Sequence, residues 1–96
     1  MKEHLPEPGD LVRDMGNKNF MFYCLGCKYY HVFDNRWSFN GDFKKPTFEP
    51  SLMVNRGYPD QCHSFVRNGQ IEFQSDCHHK LKGQTISLPP PFDPEP

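Results

Sequence analysis

Two cysteine pairs, and short aromatic segments separated by turn-forming residues, predict a small, mostly β domain of degenerate zinc-ribbon type, with antiparallel hairpins and one short helical turn. The first pair, Cys24 and Cys27, forms a CxxC knuckle. The second, Cys62 and Cys77, brackets a hairpin built around Asn68-Gly69.

The elements follow from local chemistry. Residues 1–19, "MKEHLPEPGDLVRDMGNKN", are rich in turn formers and read as an extended N-terminal arm with a short strand near Leu11 to Arg13. "FMFYC" (20–24) is an aromatic, apolar strand that runs into the knuckle "CLGC", where Gly26 eases the turn. "YYHVF" (29–33) is a second strand, Asp34-Asn35 a turn, and "RWSFN" (36–40) a third strand with Trp37 and Phe39 on one face. "KKPTFEPSLMV" carries Pro46 and Pro50, which place it at a sheet edge or in an irregular crossing. "CHSFVRNGQIEFQS" is the clearest hairpin, because a type I′ turn needs positive φ at both central residues and Asn-Gly supplies it. Asp76 caps a single helical turn, "CHHKLK", closed by Gly83. "QTISL" is a last strand, and residues 90–96 form a disordered proline-rich tail. The folded domain is therefore expected over residues 20–89.

Composition narrows the function. The 96 residues fit one core, yet only 35% are hydrophobic and ten are proline, with a mean hydropathy of -0.80. So polar a chain gains from a metal, a disulfide or a partner to supplement burial. No secretory pattern or span of transmembrane length stands out, so the expected compartment is a cytoplasm, where cysteines bind metal or stay as thiols. The formal net charge is -1, and the middle of the chain has no basic cluster of the kind nucleic-acid binding needs.

Zn²⁺ suits the cysteines because soft thiolates satisfy it and a structural site takes four ligands. With a two-residue turn at Asn68-Gly69, Arg67 faces Gln70 and Cys62, Ser64, Val66, Ile71 and Phe73 share one face. Cys77 then lies just past the open end beside Cys62, giving Cys24, Cys27, Cys62 and Cys77 as the metal ligands, with His79 the alternative fourth. His63 points to the opposite face; a turn one residue longer would reverse that parity. His31 is either a further ligand or an ordinary strand histidine.

A catalytic zinc would keep an open position, and His63, Asp76 and His79 are then the acid–base candidates. The helix cap is the plainer role for Asp76. The aromatics at 20, 22, 23, 29, 30, 33, 37, 39, 43 and 48 could stack nucleic-acid bases, although in so small a β domain they serve first as core.

On "CLGC", "WSFNGDFKKPTFEPS", "CHSFVRNGQIEF" and "DCHHKLKGQT", across residues 20–89, the chain resembles a group of small bacteriophage and prophage proteins classed as a domain of unknown function, some of them labelled ammonia monooxygenase. The resemblance implies a phage-encoded zinc-binding protein in the bacterial cytoplasm, with no established activity. It places Cys24, Cys27, Cys62, His63, Asp76 and His79 on characteristic positions and so strengthens His79 against Cys77. A thiolate-rich domain of this size offers nothing for monooxygenase chemistry.

The expected function is a zinc-stabilised protein-interaction module that binds a host or phage protein and modulates host defence. A small zinc-dependent enzyme and a single-stranded nucleic-acid binder are the alternatives.

Overall fold

A computed structural model describes residues 4–91. Eight strands run in order: β1 (Arg13–Gly16), β2 (Asn19–Cys24), β3 (Tyr29–Phe33), β4 (Ser38–Phe39), β5 (Phe48–Val54), β6 (Cys62–Arg67), β7 (Gln70–Phe73) and β8 (Thr85–Ser87). They form a three-stranded sheet, β1-β2-β3, and a five-stranded sheet, β4-β5-β6-β7-β8. All pairings are antiparallel.

The mostly β expectation and the hairpin register both hold. Arg67 pairs with Gln70 and Ser64 with Phe73, and Asn68 and Gly69 take φ of 54° and 79°, the positive pair that a type I′ turn requires. The alternation is accordingly as read: Cys62, Ser64, Val66, Ile71 and Phe73 are buried, whereas His63, Phe65 and Glu72 are half-exposed.

The two sheets meet through aromatic rings. Phe33 on β3 stacks on Phe48 on β5 with centroids 4.0 Å apart, and Phe39 stacks on Phe48 at 4.6 Å. Phe22, Val12, Val66 and Ile71 complete the interior. Most of the phenylalanines considered as base-stacking platforms are thus spent on the core. The arm adds to it as well, since Val12 and Asp10 are buried and β1 pairs with β2.

Two expectations are corrected. Of the two places offered to the proline-bearing segment, the irregular crossing is the one found and the edge is corrected: β5 lies between β4 and β6, with its register interrupted around Pro50. Pro50 is accommodated because β4 pairs only with Phe48 and Glu49, and the β5–β6 register breaks between Phe48 and Leu52, so no ladder hydrogen bond is demanded of it. The helical turn over 77–82 does not form, and no helix occurs among the described residues. Its amides find other acceptors: His78 N–H bonds the Gln61 carbonyl at 2.9 Å, and Leu81 N–H bonds His79 Nδ1 at 3.2 Å. The tail expected over 90–96 lies largely outside the described residues.

Candidate catalytic triad and metal centre

Strand β6 places two kinds of chemistry on opposite faces, because successive side chains of a strand alternate. On the outer face His63 is 26% exposed, with two partners. Its Nε2 lies 3.0 Å from Ser51 Oγ, and its Nδ1 lies 3.1 Å from Asp76 Oδ1 and 3.3 Å from Oδ2. Ser51 comes from neighbouring β5, whose Met53 pairs with His63. Asp76 comes from the turn after β7.

This is the hydroxyl–imidazole–carboxylate order of a serine nucleophile with its base and the base's orienting acid. The carboxylate accepts from Nδ1–H, which leaves Nε2 as the acceptor for the serine proton. The supports are specific. Trp37 Nε1–H donates to the Ser51 carbonyl at 3.1 Å. Gln61 Nε2 donates to the Asp76 carbonyl at 2.8 Å, and Gln61 Oε1 accepts from Gly57 N–H at 2.8 Å. Two surface cavities, of about 360 Å³ and 400 Å³, are lined by other residues, and the triad is partly exposed, with His63 half-buried and Asp76 exposed.

On the inner side, Cys24 and Cys62 are buried and all four cysteines are free thiols. One donor atom each from Cys24, Cys27, His31 and Cys62 lies within 4.8 Å of every other. A tetrahedral zinc with bonds of about 2.3 Å has ligand–ligand edges of about 3.8 Å, so the set fits such an ion. Cys27 N–H points at Cys24 Sγ at 3.4 Å, the amide-to-sulfur contact of a knuckle. His31 Nε2 is buried without a well-formed hydrogen bond, although the ring is close enough to Cys24 to favour its thiolate; a shared metal would satisfy both.

The thiols cannot all ionise unaided. A hydrogen bond from Cys62, helped by His31 and the Cys27 amide, outweighs burial and pulls Cys24 down to about 4. Burial and the Cys24 charge push Cys27 up to about 12, and Cys62 is raised by donating to Cys24 and by burial. One negative charge is stable there; three need a cation among them.

Cys62, Cys77 and His79 form a second group within 4.8 Å. His79 Nε2 is 3.4 Å from Cys62 Sγ, and its ring occupies the space a Cβ on Gly26 would need. The Cys77 thiol instead engages the main chain of His63, accepting from its N–H at 3.1 Å and donating to its carbonyl at 3.0 Å.

Of the residues singled out from sequence, Cys24, Cys27 and Cys62 converge with His31. His63 and Asp76 meet each other, and His79 and Cys77 flank Cys62. The expected Asp76 cap is absent because the carboxylate is directed at the His63 ring. Ser51 was missed. It stands in "TFEPSLMV" with no local signature, and a triad is recognised by geometry, not by spacing.

No helix among the described residues is long and apolar enough to cross a membrane. Neither the curated proteins nor the solved structures contain a match to this chain, and the phage grouping finds no confirmation. The family comparison is positive, and its matched span holds Ser51 and His63 and ends two residues before Asp76. Over residues 1–74 the chain matches, and belongs to, the family described as the bacterial ubiquitination-like system serine protease (BubE).

Proposed function

We propose that this protein is a serine peptidase of a bacterial ubiquitination-like system, with Ser51 as nucleophile, His63 as general base and acid, and Asp76 as the group that orients His63. The carrying observation is the continuous chain Ser51 Oγ–His63 Nε2, 3.0 Å, and His63 Nδ1–Asp76 Oδ1, 3.1 Å. In the first step His63 Nε2 takes the Ser51 proton as Oγ attacks the substrate carbonyl carbon. The tetrahedral intermediate collapses to an acyl-enzyme, and the proton on His63 goes to the leaving amine. Water activated by His63 then releases the acid and restores Ser51. Asp76 stabilises the imidazolium without taking its proton.

Protein substrates suit the site. The triad is solvent-accessible, with the His63 and Asp76 side chains 26% and 50% exposed, and the family description names a ubiquitination-like system. A bond at the C-terminus of a ubiquitin-like protein is the substrate class we assign. Four free thiols fit the bacterial cytoplasm.

The inner cluster, in this reading, holds one structural Zn²⁺ through Cys24, Cys27, Cys62 and a fourth ligand. Three side chains contest that place: Cys77, expected from sequence, its rival His79, and His31. His31 is favoured because its Nε2 is buried without a well-formed hydrogen bond. His79 is disfavoured because its Nδ1 already lies 3.2 Å from the Leu81 N–H, and among the described residues only Cys62 and Cys77 join it in a group within reach of one ion. Bound zinc would cross-link the two sheets and contribute to folding.

A fluorophosphonate probe tests the peptidase reading. Wild-type protein labels on Ser51 and cleaves a ubiquitin-like fusion, while Ser51→Ala and His63→Ala do neither. Binding of the fusion by wild-type protein with no labelling and no cleavage would sink the peptidase and leave the interaction module expected from sequence. Metal analysis of the purified protein should return one zinc per chain; none would refute the structural site.

A further inference from the structure

Strand β7 ends at Phe73, opposite Ser64, so the ladder beside β6 stops one residue short of His63. The chain then folds into the turn 74–77, closed by Cys77 N–H to the Gln74 carbonyl at 3.1 Å. Three groups of this turn are directed at His63. Gln74 N–H donates to its carbonyl at 2.9 Å. Cys77 Sγ accepts from its N–H and donates to its carbonyl. The Asp76 carboxylate receives its ring N–H.

The departing strand leaves His63 N–H without a backbone acceptor on this side, and a sulfur takes that place. Cys77 is 2% exposed, so neither bond competes with water, and a lost partner would leave the His63 amide unsatisfied. Cys77 Sγ lies 3.1 Å from the His63 nitrogen and 3.0 Å from its carbonyl oxygen, a bridge to the main chain that no other cysteine makes among the described residues, although its sulfur is near Cys62 Sγ.

We propose that Cys77 is a positioning residue of the peptidase: its sulfur clamps the His63 main chain to the turn that carries Asp76 and so sets base and acid in register. The inference rests on the Ser51–His63–Asp76 reading. Misplacement of a catalytic group by about 1 Å costs on the order of 100-fold in rate, and loosening this clamp acts on that distance.

The test compares Cys77→Ala and Cys77→Ser with wild type for zinc content, kcat and KM on a ubiquitin-like fusion, and amide hydrogen exchange at His63. Cys77→Ala is expected to keep one zinc and its KM, lose about 10- to 100-fold in kcat, and exchange the His63 amide faster. Cys77→Ser, whose hydroxyl can still accept and donate, recovers most of kcat. An unchanged kcat in Cys77→Ala overturns the proposal, and so does loss of zinc from either variant, which would make Cys77 a ligand. Should Cys77→Ala fail to fold, Cys77→Ser decides: near-wild-type kcat with full zinc supports the clamp, and a hundredfold loss with full zinc rejects a hydroxyl-replaceable bond. A wild-type protein inert to the fluorophosphonate fails differently, since then the peptidase reading falls first and this inference with it.

Discussion

Cys62 and His63 are adjacent in sequence, yet one belongs to a buried sulfur cluster and the other to a half-exposed triad. The two faces of β6 differ in what their surroundings do to a polar group. On the inner face, burial makes charge costly: Cys24 is pulled down by its hydrogen bond from Cys62, while Cys27 and Cys62 are pushed up, so a cation among them would favour further ionisation. On the outer face, the His63 ring and the half-exposed Asp76 carboxylate satisfy each other by a direct contact of 3.1 Å. Strand alternation lets one segment carry both. The same alternation links them, because a cluster that fixes Cys62 also fixes the backbone from which His63 projects.

The largest expected effect breaks the comparison at its outer face. Ser51→Ala or His63→Ala should lower hydrolysis by about 10⁴-fold or more while leaving zinc content and melting unchanged. Loss of zinc or of folding in Ser51→Ala would show that the faces are not separable. Chelation attacks the inner face. Removing zinc, or substituting Cys24→Ser, should abolish the cooperative melting transition and activity together, because a structural zinc site contributes many kcal/mol, about 10 or more in small zinc domains. Activity that survives a chelator at full melting temperature would assign the cluster no role in holding β6.

A smaller effect sharpens the inner face. His31→Ala should eliminate stoichiometric zinc at micromolar protein. His79→Ala should retain it with affinity lowered about 10- to 100-fold, the usual cost of losing a group that hydrogen-bonds a ligand. The reverse ranking, read by competition with a chromogenic chelator, would move the fourth ligand to His79.

How much of this was legible depended on whether the governing signal was local. Asn68-Gly69 sets the parity of β6 and β7 through positive φ alone, so the division of Cys62 from His63 could be read from two residues. The CxxC knuckle was legible for the same reason. The turn at 76–83 was not: its helix signals were real, but Gln61, His63 and the His79 ring, all placed by tertiary structure, took the groups a helix would have used. Ser51 was hidden because its partner lies twelve positions away on a neighbouring strand, whereas Pro50 signalled an edge or an irregular crossing, and the break in register is the irregular crossing.

The smallest effect concerns the acidic contacts of the arm, which share no residue with the triad or the cysteine cluster, and serves as their control. Asp10 is buried beside three partners: Glu7 N–H at 2.9 Å, His4 Nε2 at 2.8 Å and Lys44 Nζ at 3.2 Å. Burial alone would raise its pKa, but the Glu7 amide, His4 and Lys44 together hold it below the ordinary 3.8. A carboxyl depressed in the folded state stabilises fully above its unfolded value, and that contribution is lost as pH falls through the lower folded value. Wild type should therefore melt above Asp10→Asn near neutrality, and the gap should close only as pH drops below about 3.8. Lys44 also pairs with exposed Glu7 at 2.9 Å, a contact worth little by itself, so Glu7→Gln should barely move the melting temperature. Hydrolysis at neutral pH should be unchanged in both variants. A rate loss in Asp10→Asn at full folding would tie the arm to the triad and end its use as a control.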